Sequence, residues 1–363
     1  MSASVASLRR LARHPRLRRT VALTLDRLPL GRTRLLRAAR SVDAVIFRSE
    51  RERPAGAGGR RKTLPATYRV VPAPPPVAGD WPTAPLIDEP GGVVRSAAER
   101  VAPLPEAFDI DLFEALNAEY ADKPLVPRPP GRDARSRSDN APRRLTDVHG
   151  AIGLAGQRVL EFGCGPGYEV WYLAHHFGAD ATGIDIVERH AWSVLADERT
   201  RFVMADLAVE QPFPADHFDR IVSFAVLEHV AHPHGTLREL HRILRPGGLA
   251  HISANLYRGP MASHMYHDVY FPWPHLLFGD DVFAQFFERR GRRVAGASWV
   301  NRLTWAEYEN HFNRIGFEML SLRFSESGFD EQFYRRFEGI LGRYPRWDLS
   351  RDFFHVVLTK PPR

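Results

Sequence analysis

The chain has one cysteine, Cys164, in 363 residues. No intrachain disulfide can form, which fits a reducing compartment. No apolar run approaches the roughly 18–20 residues that a membrane-spanning helix needs. No G-K-[ST] follows its glycines, so a phosphate-binding P-loop is excluded. Acids are missing from the first 25 residues, which hold six arginines. The formal net charge is +7, but residues 1–50 carry twelve arginines against three acids, which leaves the rest near −2. The basicity therefore belongs to an arm and not to a folded face, which argues against nucleic acid as partner. Three readings of the arm compete. One is a disordered basic tail. One is an amphipathic segment on anionic lipid, with Leu8, Leu11, Val21, Leu25 and Leu28 near helical spacing. One is a transit-like peptide. Pro15 interrupts any helix and favours the tail. The expectation is a cytoplasmic protein with peripheral contact at the inner membrane surface through residues 1–50.

Residues 51–85 read as a Gly- and then Pro-rich linker unable to pack a core. Residues 86–150 read as a helical cap. In it, Phe108, Leu112, Leu116 and Tyr120 form a stripe, followed by a broken polar segment, "PRPPGRDARSRSDNAPRR". From 151 to 363 strand and helix patterns alternate. "QRVLEFG", "ADATGIDI", "RFVMADL", "DRIVSFAV" and "LAHISAN" are strand-like, and Val170, Leu173, Ala174 and Phe177 mark a helix face ended by Gly178. Leu237, Leu240 and Leu244 mark another helix. Thr304 and Glu307 form a capping box before a helix with Tyr308, Phe312 and Ile315 inward. "FEMLSLRF" and "FFHVVLTK" read as a closing antiparallel pair. Such alternation implies an α/β fold, a doubly wound and mostly parallel sheet with helices on both faces. Its ligands bind at the carboxyl ends of the strands.

"VLEFGCGPGYEV" then asks what the backbone must approach. Gly163, Gly165 and Gly167 permit positive φ and close contact with a ligand at a helix start. The third glycine comes one residue early for G-x-G-x-x-G. Glu161 just before them would repel a pyrophosphate but would suit a ligand bearing an amine.

These residues resemble the first motif of class I S-adenosylmethionine (SAM)-dependent methyltransferases, of the small-molecule branch. Asp185 in "GIDI", Asp206 in "MADL", "FDRIVSFAVLEHV" and "LRELHRILRPGG" follow in the family's order. The resemblance covers residues 150–255 strongly and the remainder more weakly. It implies a Rossmann-like seven-stranded sheet and SAM as cofactor. By it, Glu161, Gly163, Gly165 and Gly167 surround the methionine moiety. Asp185 and Ile186 hold the ribose, Ala205, Asp206 and Leu207 flank the adenine, and Phe224 lines the sulfonium side. Cys164 is a small filler.

The acceptor is a separate question. Methylases of base and glutamine amines often show [DNS]-P-P-[YFW] in the fourth motif, whereas this chain has Ser223-Phe224-Ala225-Val226. Some quinone-biosynthetic relatives bind a metal through E-x-x-E-H. Glu228 and His229 match that pattern, but Ala225 stands in the first carboxylate position, so no metal is assigned. An insertion at 256–303 is rich in aromatics and holds His264, His267 and Asp268. In this fold it sits over the acceptor, where rings with polar tips stack on a sugar face. A hydroxyl acceptor benefits from a base, for which His229, His264 and His267 are candidates. The expected reaction is O-methylation of a small molecule or a saccharide or glycolipid hydroxyl. C- or N-methylation of a quinone or natural-product scaffold, or a degenerate SAM-binding scaffold, are the alternatives.

Overall fold

The computed structural model describes residues 81–87, 108–129, 131, 133–293 and 300–362. The basic arm, most of the linker and residues 88–107 of the expected cap lie outside them.

Seven strands form one sheet in the order β3-β2-β1-β4-β5-β7-β6. They are β1 (Arg158–Phe162), β2 (Asp180–Asp185), β3 (Thr200–Met204), β4 (Phe218–Phe224), β5 (Leu244–Asn255), β6 (Glu318–Glu326) and β7 (Arg351–Thr359). The first five run parallel, and β7 is antiparallel to both β5 and β6. Four of the five β1 residues are buried, as a central parallel strand covered on both faces requires. The strand order reverses between β1 and β4, so the crevice for a ligand opens above their carboxyl ends.

Helices cover both faces. On one lie α2 (Ala134–Ile152) and α3 (Tyr168–His175), which follow a first helix, α1 (Ile110–Glu119), and whose Leu145, Val148, Val170 and Leu173 pack on Val159, Ala181 and Val222. On the other lie α5 (Pro233–Ile243) and α8 (Trp305–Ile315), whose Leu237, Leu240, Tyr308 and Phe312 pack on Leu160, Ile221 and Ile252. The short α4 (Trp192–Leu195) follows β2. The capping box forms as expected, with the Thr304 amide donating to Glu307 Oε2 at 2.7 Å. Gly316, at φ +99°, ends α8.

Three expectations need correction. The segment read as broken after residue 127 holds the start of α2, 19 residues long with Pro142 inside it. Asp133 caps it through the Ser136 amide at 2.9 Å, and Ala141, Leu145, Val148 and Ile152 supply a buried stripe. Arg220 closes its end by donating to the carbonyls of Ile152 and Gly153 at 2.6 and 2.9 Å. The linker also packs at its end. Trp81 stacks on His176 at 3.7 Å between ring centroids, and the Ile87 amide donates to the Tyr168 hydroxyl at 3.0 Å.

The third correction concerns the insertion's aromatics. Phe271, Trp273 and Phe278 offer no ring face to an acceptor. They are buried in a separate core with α1 (Ile110–Glu119), α7 (Asp280–Glu288) and the helices after β6, α9 (Glu331–Arg336) and α10 (Glu338–Leu341). Phe113 of α1 sits at its centre, edge-on to Phe271 and Phe278 at 5.2 and 4.9 Å. The stripe expected for α1 is thus centred on Phe113, Leu116 and Tyr120, with Phe108 and Leu112 at its border. The phenyl rings gain more from mutual burial than from a wet cleft, and Trp273 Nε1 is satisfied inside by donating to the Leu349 carbonyl at 3.0 Å. The short α6 (Pro274–Leu277) and α11 (Arg346–Leu349) complete this layer. Among the described residues no helix is long and apolar enough to cross a membrane.

Candidate active site

The β1–α3 turn carries all three glycines at positive φ: +76° for Gly163, +51° for Gly165 and +92° for Gly167. They serve different ends. A Cβ on Gly163 would meet the Val226 side chain at 2.2 Å, and one on Gly167 the Phe202 ring at 2.4 Å. Those two glycines let the loop close onto β3 and onto the turn after β4. A Cβ on Gly165 would meet nothing within 4 Å, so this residue faces open space. It is held from two sides. Its amide donates to Asp185 Oδ2 at 2.9 Å, and its carbonyl accepts from Trp192 Nε1 at 2.8 Å. The other Asp185 oxygen accepts from the Val187 amide at 3.1 Å. Asp185 therefore shapes the loop besides facing the position where the resemblance places the ribose.

Glu161 is buried, and its Oε2 has no hydrogen-bond partner. Burial, and then the neighbouring Glu169 charge, hold its pKa well above the usual carboxylate range. Arg144 of α2 pairs with Glu169 at 2.8 Å and lies 5.7 Å from the Phe224 ring centroid. With the guanidinium paired to Glu169, burial leaves a penalty on ionising Glu161. A bound cation would relieve it, as the ammonium of a methionine moiety would. The carboxyl end of the sheet also leaves apolar surface bare. Ile186 and Met204 are 56% and 59% exposed at the ends of β2 and β3, where an adenosine would cover them. Asp206 is exposed and accepts from the Ala208 amide at 2.8 Å, while Ala205 and Leu207 turn into the core behind it. Cys164 is buried against Gly183, and burial pushes its thiol pKa up, as a packing residue's should be. These residues fit the cofactor that the resemblance implies.

A second group of polar side chains begins at the same loop. Val226, packed on Gly163, leads into a 3₁₀ turn, Leu227–His229. Ala225 before it adopts φ +54°, a conformation that costs a non-glycine residue about 1 kcal/mol or more. The insertion returns over this turn and brings His264, also at φ +55°, edge-on to His229 with ring centroids 4.8 Å apart. Glu228 lies beneath them, 1% exposed. One ligand atom from each of Glu228, His229 and His264 lies within 4.8 Å of the others, a donor set that could also hold a metal ion.

Both Glu228 oxygens and His264 Nε2 are buried without a hydrogen-bond partner. The amides of Glu228 and Asn255 lie near enough to favour the carboxylate charge slightly, but neither closes a hydrogen bond. Burial prevails and raises Glu228 to about 8. Burial, and then the adjacent His229, lower His264 to about 3. His267 lies against Tyr266 instead, 5.4 Å between centroids, and Asp268 is committed to Arg292 at 2.5 Å. Of the three candidate bases, two meet and one stands apart. Arg144, Glu169, Trp192 and Glu228's missing partners were not signalled by sequence spacing, because helix packing across the chain creates each of them.

A methyltransferase-domain family model matches residues 134–329. The ubiquinone biosynthesis O-methyltransferase of Pseudomonas aeruginosa is 31% identical over 162 residues, which is 42% of this chain and 65% of that protein. The protein of the same description from Pseudomonas syringae pv. tomato is 32% identical over the same shares. The chain thus spans about 65% of the length of these relatives. A SAM-dependent methyltransferase structure from Mesorhizobium loti matches at 22% identity and TM-score 0.38, covering 57% of this chain and 92% of that one. That likeness is too slight to carry weight. The family match begins at the first residue of α2, runs through the insertion and covers more than half of the chain. With that extent, on a sheet of this order, the chain belongs to the class I S-adenosylmethionine-dependent methyltransferases.

Proposed function

We propose that the protein transfers the methyl group of SAM to a hydroxyl oxygen of a small-molecule or saccharide acceptor bound between the Leu227–His229 turn and the insertion. The observation that carries this reading is the meeting of His229 and His264 above a buried, unpartnered Glu228. A buried polar atom without a partner costs about 1–3 kcal/mol, and such a cost concentrates where a ligand supplies the missing bond.

When bound, SAM supplies an electrophilic methyl group on a sulfonium, which leaves in line as the acceptor attacks. The chain's own residues do the rest. Gly165 gives the donor its approach and Glu161 takes its ammonium. His229 accepts the acceptor's hydroxyl proton as the new C–O bond forms and the C–S bond breaks. His264 is uncharged at neutral pH and orients the hydroxyl through Nε2. Glu228, mostly protonated at pH 7 and without a partner of its own, can donate its proton to a polar atom of the bound acceptor. Positioning of acceptor against donor supplies much of the acceleration. Lipid-borne glycans are one acceptor class that suits a basic arm.

The test is separate His229→Ala and His264→Ala variants assayed for methyl transfer, beside calorimetric titration with SAM. Loss of about 10²–10⁴-fold in kcat with SAM affinity held within threefold supports the reading. Unchanged kcat in both would point to an acceptor that needs no base, as in C- or N-methylation.

A further inference from the structure

A second polar cavity is lined by none of the glycine-loop residues and has no role in the methyl transfer described above, although the ring of its His251 lies 6.0 Å from that of Phe224 between centroids. It has a volume of about 410 Å³ and is lined by Asp147 and Ala151 of α2, His251 of β5, His355 and Val357 of β7, and Ser321 and Arg323 of β6. The register places these side chains on one face of the sheet. His251 pairs with Val357, and His355 pairs with Arg323. The last turns of α2 cover that face, but among the described residues no helix continues over β6, and Ser321 and Arg323 are exposed at the edge.

The lining is unusual in its charges. Among the described residues, no carboxylate forms an ion pair with Arg323. His251 Nδ1 is buried and has no hydrogen-bond partner. The His355 ring is fixed by the Ser325 hydroxyl at 2.8 Å from Nε2. Burial holds both imidazoles near pKa 4, so they are neutral at pH 7 and can offer an N–H without carrying charge. Asp147 is the one acid, and it is exposed at the mouth. A cation would meet the Arg323 guanidinium, and an apolar ligand would strip water from two imidazoles without replacing it. An oxyanion meets a guanidinium fork, an imidazole N–H and the Ser321 hydroxyl together. Three donors match the three terminal oxygens of a phosphoryl group better than the two of a carboxylate.

We propose that this cavity binds the phosphoryl group of a phosphate monoester, gripped by Arg323, His251 and Ser321. The group can arrive on a soluble metabolite or on a lipid headgroup. Calorimetric titration of the full chain with sn-glycerol 3-phosphate, and sedimentation with phosphatidylcholine vesicles with and without phosphatidic acid, separate the two sources. Saturable binding of the soluble ester supports a metabolite. Sedimentation that depends on phosphatidic acid without soluble binding supports a lipid. Either must weaken about tenfold or more in Arg323→Gln, as loss of a charge-assisted pair requires. The side chain is exposed on an edge strand, so this variant is expected to fold, with an unchanged thermal melt as control. His251→Asn should behave alike. If it does not fold, Arg323→Gln decides. Binding of neither probe by folded protein, or equal binding by wild type and Arg323→Gln, would overturn the proposal.

Discussion

Replacing Glu228 by glutamine should make the protein more stable while it loses activity. The carboxyl is 1% exposed and unpartnered, and its pKa rises from an ordinary 4.5 to about 8. A raised carboxyl pKa means that the folded state prefers the proton. The contribution to stability is fully present below pH 4.5, declines as pH rises, and is lost once pH passes about 8. At about 1.4 kcal/mol per unit, the full shift amounts to at most about 5 kcal/mol above pH 8, and about 3 kcal/mol at pH 7. A glutamine amide has the same shape and no charge to desolvate, but its own hydrogen bonds stay partly unmade. The net gain expected for Glu228→Gln is therefore about 1–3 kcal/mol at pH 8, or roughly 2–9 °C in Tm, shrinking to nothing at pH 4.5. His229 and His264 are the titratable neighbours, and His264 is already neutral across this range. The assay is urea denaturation of wild type and variant between pH 4.5 and 8.5, with EDTA present so that no trace metal charges the site. Two parallel pH curves, or a variant less stable at pH 8, would refute the reasoning, because either would mean that the carboxylate is satisfied in solution.

Other outcomes follow from the loop. Gly165→Ala should fold, at a cost of about 1 kcal/mol for its positive φ, and lose at least tenfold in SAM affinity by calorimetry. Gly167→Ala should instead lower Tm, since its Cβ would strike the Phe202 ring at 2.4 Å. Glu161→Gln should weaken SAM about tenfold while leaving methylthioadenosine, which lacks the amino-acid end, unchanged. Equal loss for both ligands would place Glu161 elsewhere in the cleft. If the Glu228, His229 and His264 donors hold a metal, Zn²⁺ titration should release protons and raise Tm, and EDTA should reverse both. A flat titration would leave the cluster to the acceptor alone.

Much of this was legible in the sequence wherever the signal is local. Strand runs, the glycine spacing, the acids Asp185 and Asp206 at the second and third strands and the Thr304/Glu307 cap depend on neighbours a few residues apart. The fold class followed from them. Helix α2 was obscured because its first turns, "ARSRSDN", are polar and Pro142 reads as a breaker. Its buried stripe only starts at Ser138 and Ala141 and gains sense once α3 lies beneath it. The aromatic insertion misled for the opposite reason. Its rings are evident in the sequence, but Phe113, the residue they close around, lies some 150 positions earlier. Trp192 on the Gly165 carbonyl and Arg144 on Glu169 are likewise products of tertiary packing. Ile186 was expected beside the ribose and is exposed at the end of β2, whereas the exposed Met204 at the end of β3 had no signal in the sequence.

The position of β7 has a consequence for how the protein is made. It lies between β5 and β6, yet it is synthesised after both. A nascent chain that has reached residue 350 carries a finished glycine loop, but β5 still presents an open edge through Ala250, Ile252 and Ala254. Such an edge is a template for pairing with another chain until its partner arrives. Asp352 on that last strand also accepts from the Met261 and Ser327 amides, so the insertion is tied down by the same event. Closure of the sheet and anchoring of the insertion thus both wait for the last strand. A chaperone guarding this chain would have its longest duty at the β5 edge.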